Sequence, residues 1–276
     1  MGKGSSGASI IIDKENQIVT KSVPIKNWNL FNHLKNQYNF MKFLNYNELT
    51  TDVYNDFFND NKYFYSMKYE EDTENINADD LLFISEKISS LNYPVPDVSF
   101  ASYIERLKDH IRFLRKDETF KEMLSYKEFI INDDIVVPNI NLIEMLDFGM
   151  KYYIHKKPTL CHGDLTRENV VNNYVIDPNL LMDGWNHWLL DYGKVLQSYH
   201  YNYEATFSCN SIIINKNKMK CSIGSNILCS FCEDAYYFEA THYLRMLKYK
   251  LAESKHNFKI AYIRLCQVWE FFKEIY

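Results

Sequence analysis

The chain has 276 residues, 46% of them apolar, with 31 basic and 36 acidic side chains and a formal net charge of -5. That apolar share argues against a disordered chain and suffices for one large domain or two modest lobes. Charge spread without a basic block excludes nucleic acid as an implied partner, and no apolar run approaches the roughly 20 residues of a spanning helix.

Met1 to Ser9 is small and polar, unlike a secretory signal, and the six cysteines are irregularly spaced in a chain too large to need disulfide staples. The expectation is a cytoplasmic protein with reduced thiols and no membrane span. The chain opens on Gly2-Lys3-Gly4-Ser5-Ser6-Gly7-Ala8, a glycine-rich loop, and continues into two strands, Ser9 to Asp13 and Gln17 to Val23, around a Lys14-Glu15-Asn16 turn. Leu30, Phe31, Leu34, Tyr38, Met41 and Leu44 recur at helical spacing and predict an amphipathic helix from Trp28 to Leu44, capped by Asn27. Tyr63 to Tyr69 reads as a strand and Glu70 to Asp80 as a connector, which sets a lobe boundary near Glu70.

Beyond that point the pattern turns helical, at Ala78 to Leu91, Ser102 to Arg115 and Leu142 to His155. A short strand-rich island, Thr159 to Asp177, interrupts it and leads to a helix from about Asp191 to Tyr203. Ser211 to Ile214 and Met219 to Ile223 suggest a hairpin around Asn215-Lys216-Asn217-Lys218, and two long helices, Glu233 to Ala252 and Phe258 to Ile275, close the chain.

The island carries the chemistry. In His162-Gly163-Asp164-Leu165-Thr166-Arg167-Glu168-Asn169-Val170-Val171-Asn172-Asn173-Tyr174-Val175-Ile176-Asp177, the valine strand and Tyr174-Val175-Ile176 can pair across Asn172-Asn173, because Asn tolerates the left-handed backbone of a two-residue turn. That register sets Asn169 opposite Ile176 and brings an amide oxygen and the Asp177 carboxylate to one end of the hairpin. Convergent oxygen ligands of this kind suit Mg²⁺. Asp164 precedes Asn169 by five residues, the interval that separates base from metal-binding Asn in protein-kinase catalytic loops. A carboxylate there can take the proton of a substrate hydroxyl, with His162 as a hydrogen-bonding brace for the loop rather than a second base.

His-Gly-Asp-Leu-x-x-x-Asn followed by a strand ending in Ile-Asp resembles the aminoglycoside phosphotransferase and choline kinase families, which share the protein-kinase-like fold. The resemblance implies an α+β, two-lobed molecule: a small β-rich N-lobe over residues 1–70, a hinge, and a larger helical C-lobe over 71–276. It implies ATP and Mg²⁺ as cofactors, Asp164 as catalytic base, and Asn169 and Asp177 as metal ligands. Gly4, Ser5, Ser6 and Gly7 would close over the phosphates and Lys21 would pair with them, while Met67 and Tyr69 would wall the adenine at the hinge. Two features depart from the family. The strand that precedes its glycine-rich loop is missing or very short here, and Gln37 stands about where its helix presents a lysine-anchoring Glu.

Ile176-Asp177-Pro178-Asn179, continuing to Leu190-Asp191-Tyr192-Gly193-Lys194-Val195-Leu196-Gln197-Ser198, further resembles kinases encoded with bacterial capsule or surface-polysaccharide genes. That likeness implies a sugar or polysaccharide precursor as the small-molecule acceptor. Aminoglycoside, choline or protein acceptors stay open, as does a nucleotide-binding pseudokinase acting as an interaction module. Elsewhere the expectations are structural: Asp191 as a helix N-cap, Lys194, Ser198 and His200 on a solvated helix face, Cys229 and Cys232 as buried thiols rather than zinc ligands, and Tyr199, Tyr201, Tyr203, Tyr236 and Tyr237 packed between helices.

Overall fold

The computed structural model describes residues 2–3, 8–71, 76–132, 135–181, 184–200, 212–215, 218–221 and 232–276. They form two compact units: Met1–Tyr93 with Leu160–Met182, and Pro94–Thr159 with Asp183–Tyr276.

The first unit is built on a five-stranded antiparallel sheet of order β1-β2-β3-β5-β4. Its strands are β1 (Gly2–Lys3), β2 (Ser9–Asp13), β3 (Ile18–Pro24), β4 (Phe57–Asn59) and β5 (Lys62–Lys68). The strand before the glycine-rich segment is thus present but two residues long, pairing Gly2 with Ile10 and Lys3 with Ser9. Alternation along β3 and β5 turns Val19, Lys21 and Val23, and Tyr63, Tyr65 and Met67, inward. Helix α1 (Trp28–Tyr46) covers that face with Leu34, Tyr38 and Met41, and the Asn27 side chain caps its start by accepting from Leu30 N. Helix α2 (Ala78–Ser90) opens on a reciprocal capping box between Asn77 and Asp80.

The hairpin island belongs to this unit because backbone and side chain both tie it there. Val175 N donates to Leu49 O at 2.9 Å, Thr50 Oγ1 donates to Val175 O, and Asn172 Nδ2 donates to Glu71 O at 2.8 Å. A single cut near Glu70 separates pieces that these bonds hold together.

The second unit is helical around one large aromatic core. Helices α3 (Phe100–Leu114), α4 (Glu118–Ser125), α5 (Leu142–Tyr153), α6 (Trp188–Tyr199), α7 (Glu233–Glu253) and α8 (Lys255–Ile275) surround Trp185, Tyr153, Tyr237 and Phe238. A four-stranded sheet of order β10-β11-β6-β7 joins β6 (Glu128–Ile131) and β7 (Ile135–Pro138) to the expected hairpin, β10 (Ile212–Asn215) with β11 (Lys218–Cys221). Among the described residues, no helix is long and apolar enough to cross a membrane.

Helix α6 corrects three expectations. It starts at Trp188, with the His187 ring accepting from Leu189 N as the cap, so Asp191 lies within the first turn and is fully buried. Lys194, Ser198 and His200, expected on a solvated face, are buried as well. The reason is Gly193: a Cβ there would strike the backbone of Phe238 and Glu239, so its absence lets α7 approach closely and cover the polar face. Cys232 is exposed at the N-cap of α7, whereas Cys161 and Cys266 are buried free thiols. Cys209, Cys229, Tyr201 and Tyr203 lie outside the described residues; Tyr236 and Tyr237 pack between helices as expected.

Candidate active site

The site grows from the turn between β8 (Val170–Val171) and β9 (Tyr174–Val175). Val170 pairs with Val175 and Val171 with Tyr174, and both turn residues adopt positive φ, 49° at Asn172 and 66° at Asn173. This is the two-residue turn that the Asn-Asn step predicts. Ile176 N donates to Asn169 O at 2.9 Å, so Asp177 stands one residue beyond Asn169's partner, itself at a φ of 56°.

On the other side of the hairpin, a single turn of 3-10 helix, Arg167–Asn169, folds the Asn169 side chain back on the His162–Asp164 loop. Its Nδ2 donates to Asp164 O at 2.8 Å and to Asp164 Oδ2 at 3.2 Å. The amide hydrogens are committed to Asp164, which leaves Oδ1 as the atom able to ligate a cation. Among the described residues no group of three or more His, Cys, Asp or Glu forms a metal cage. A site made of one carboxylate and one amide oxygen, completed by phosphate oxygens, is instead the donor set Mg²⁺ commonly takes.

His162 braces the loop through both ring nitrogens. Nδ1 accepts from Asp164 N at 3.3 Å and Nε2 donates to Ile176 O at 3.0 Å, an arrangement that assigns the neutral Nε2–H tautomer. Complete burial pushes its pKa down to about 4 against the opposing pull of Asp164, so the ring is uncharged at neutral pH. Gly163, at a φ of 82°, leaves room for the Asn179 carbonyl, which a Cβ would hit, and Asn179 N donates to His162 O at 2.7 Å. The loop and the Asp177–Asn179 turn are therefore pressed together at a position that only glycine fills without strain.

Lys21 reaches this turn from β3. Its ammonium forms an ion pair with Asp177 Oδ1, and its side chain is 5% exposed against 36% for Asp177. Burial draws the lysine pKa down to about 7. Gln37 takes no part in that pair: its Nε2 donates to Pro178 O at 3.0 Å and its Oε1 accepts from Tyr65 OH at 2.9 Å. Asp177 rather than a residue of α1 is thus the carboxylate that meets Lys21.

Of the other anticipated nucleotide contacts, Met67 is buried in the sheet core and bridged to Val53. Tyr69 is half-buried, with its N–H on Gln17 O at 2.8 Å and Lys14 Nζ 5.7 Å from its ring centre. Gly4, Ser5, Ser6 and Gly7 lie outside the described residues.

Taken together, the small antiparallel-sheet unit with its helix and the larger helical unit define an α+β, protein-kinase-like fold. No protein-family model and no curated protein matches the sequence. Among solved structures, a protein from Haemophilus somnus 129PT assigned as a fructosamine-3-kinase is similar at a TM-score of 0.53 and 12% identity, over 95% of this chain and 86% of that one. A structure of LicA in complex with AMP is similar at a TM-score of 0.53 and 15% identity, over 99% of this chain and 90% of that one. At such identities the likeness is one of fold, and the chemistry rests on the side chains above.

Proposed function

We propose that this chain is a phosphotransferase that moves the γ-phosphoryl group of ATP to a hydroxyl of a small molecule. The acceptor class favoured by the sequence around Asp177 to Ser198 is a sugar or surface-polysaccharide precursor. The observation that carries the reading is the gathering of Asp164, Asn169, Asp177 and Lys21 around one strained turn, two of them joined by the Asn169 amide and two by an ion pair. The fold shared with an AMP-bound structure supports a nucleotide as ligand.

In this reading the Asp164 carboxylate accepts the proton of the acceptor hydroxyl as its oxygen attacks the γ-phosphorus, and ADP leaves. The Asn169 Nδ2 bond keeps one carboxylate oxygen fixed and directs the other at the incoming proton. Asn169 Oδ1 and Asp177 would hold Mg²⁺, which would neutralise charge on the transferring phosphoryl group. Lys21 moves its charge from Asp177 to the phosphates. The neutral His162 holds the loop and exchanges no proton.

The test is Mg²⁺-dependent release of ADP from ATP with a panel of sugars, aminoglycosides and choline. Acceptor-stimulated turnover that vanishes in Asp164→Asn and Asp177→Ala establishes the activity and names the acceptor class. A nucleotide-binding pseudokinase is the second reading, favoured by the lack of an α1 carboxylate on Lys21; nucleotide binding without turnover under every acceptor would select it.

A further inference from the structure

Asp177 is held in an unfavourable conformation. Left-handed backbone is a region that residues other than glycine enter seldom, Asn and Asp most readily, and its neighbour Pro178 adds its own bias towards an extended predecessor. Such a turn persists only where the surroundings over-determine it. Three hydrogen bonds, two of them backbone to backbone, tie it to the proposed catalytic loop and hairpin: Ile176 N to Asn169 O, His162 Nε2 to Ile176 O, and Asn179 N to His162 O. A fourth, to the carbonyl of the buried Pro178, comes from Gln37 on α1.

Gln37 suits that place for a chemical reason. Its amide donates to Pro178 O while accepting from Tyr65 OH, two bonds of opposite sense that no ionised carboxylate can make together. Tyr65 is fully buried on β5 and pairs across the ladder with Lys21 on β3. A chain of two hydrogen bonds therefore runs from the strand beside the lysine, through the helix, to the turn that presents Asp177. His33, Asn36 and Phe40 of α1 and Leu180 line a small cleft around this bond.

We propose that Gln37, fixed by Tyr65, is a positioning residue that holds the Asp177–Pro178 turn in its metal-binding conformation, replacing a lysine-anchoring role with a turn-anchoring one. The inference rests on the proposed assignment of Asp177 as a ligand of Mg²⁺. It accounts for an amide at a position where a carboxylate would point an unpaired charge at the Pro178 carbonyl. Gln37 acts through the Pro178 backbone.

The test is calorimetric binding of ADP to the full chain, with and without Mg²⁺, for the parent, Gln37→Leu, Gln37→Glu and Tyr65→Phe, alongside thermal unfolding. Loss of a bond that orients a metal ligand commonly weakens the metal by about 10- to 100-fold. Both Gln37 variants are expected to raise the Mg²⁺ concentration needed for half-maximal enhancement by about tenfold or more, with Mg²⁺-free ADP affinity changed less than about threefold; Tyr65→Phe shifts it in the same direction by less. Tyr65→Phe keeps the ring and its packing, so it reports on the bond even if a Gln37 variant folds poorly. Parental Mg²⁺ enhancement in folded Gln37→Leu and Tyr65→Phe overturns the positioning role alone. No Mg²⁺ enhancement in the parent overturns it together with the metal assignment beneath it.

Discussion

Two buried histidines open two regions of this molecule in the same way. His162 Nδ1 accepts the N–H of Asp164, and His187 Nδ1 accepts the N–H of Leu189, each two residues along the chain. Both rings have a pKa lowered to about 4, chiefly by burial. After His162 the chain enters a glycine turn and the loop that carries Asp164; after His187 it enters helix α6, whose Asp191, Lys194 and Ser198 are buried. The first region was legible in the sequence and the second was not, although the local device is shared. A motif with fixed spacing exposes its geometry, whereas a polar helix face becomes buried only through a partner distant in sequence.

The largest expected effect breaks the first region. Asp164→Asn should keep the Asn169 bond to the residue's carbonyl and the fold, yet lose the proton acceptor, lowering kcat by about 10²- to 10⁴-fold. Steady-state ADP release and circular dichroism on the same sample check both halves. Unchanged turnover would remove Asp164 from the role of base.

The second region should answer in stability instead. Glu239, fully buried on α7, contacts His200 Nδ1 at 2.9 Å. Truncating it strips a buried polar partner, and Glu239→Ala is expected to cost about 1–3 kcal/mol in denaturant unfolding, with nucleotide affinity of the remaining folded protein unchanged. A loss below about 1 kcal/mol would mean that α6 and α7 do not depend on this pair.

The histidines themselves sharpen the comparison by titration. A group whose pKa is lower in the folded state binds its proton preferentially in the unfolded chain, so stability is whole above the ordinary histidine value and declines as pH falls. For His162 and His187 the window runs from about 6.5 down to about 4, each contributing a slope of roughly 1.4 kcal/mol per pH unit. His187→Asn retains a capping oxygen and removes one titration. Its unfolding free energy should fall less steeply with acid than that of the parent, and an identical slope would show that His187 is not carried neutral into the fold.

What the sequence revealed and concealed follows the same division. The Asn172-Asn173 turn, the register that puts Asn169 beside Ile176, and the inward lysine on β3 all follow from local chemistry. Strand β4 carries a turn signal in Asp60-Asn61, which take φ of 48° and 60°, but its three exposed residues, Phe57-Phe58-Asn59, show no alternation that would mark a strand. Strands β6 and β7 likewise alternate, with Phe129, Ile131 and Val137 inward, but the parallel pairing of β6 with β11 joins segments far apart in the chain. The destination of Gln37 was beyond reach for that reason: its acceptor lies 141 residues away.

The smallest effect tests whether local legibility extends to function. Asn173 carries a φ of 66° at the tip of the hairpin whose register opposes Asn169 to Ile176. Asn173→Gly relieves the backbone and should be neutral or slightly stabilising, whereas Asn173→Ala forces a residue that avoids the left-handed region and should cost about 1 kcal/mol. If the turn sets the metal geometry, the alanine variant also weakens Mg²⁺-dependent ADP binding and the glycine variant does not. Equal Mg²⁺ dependence in the two, with the stability difference retained, would confine the turn's role to folding and leave the alignment of Asp177 to the bonds from His162, Asn169 and Gln37.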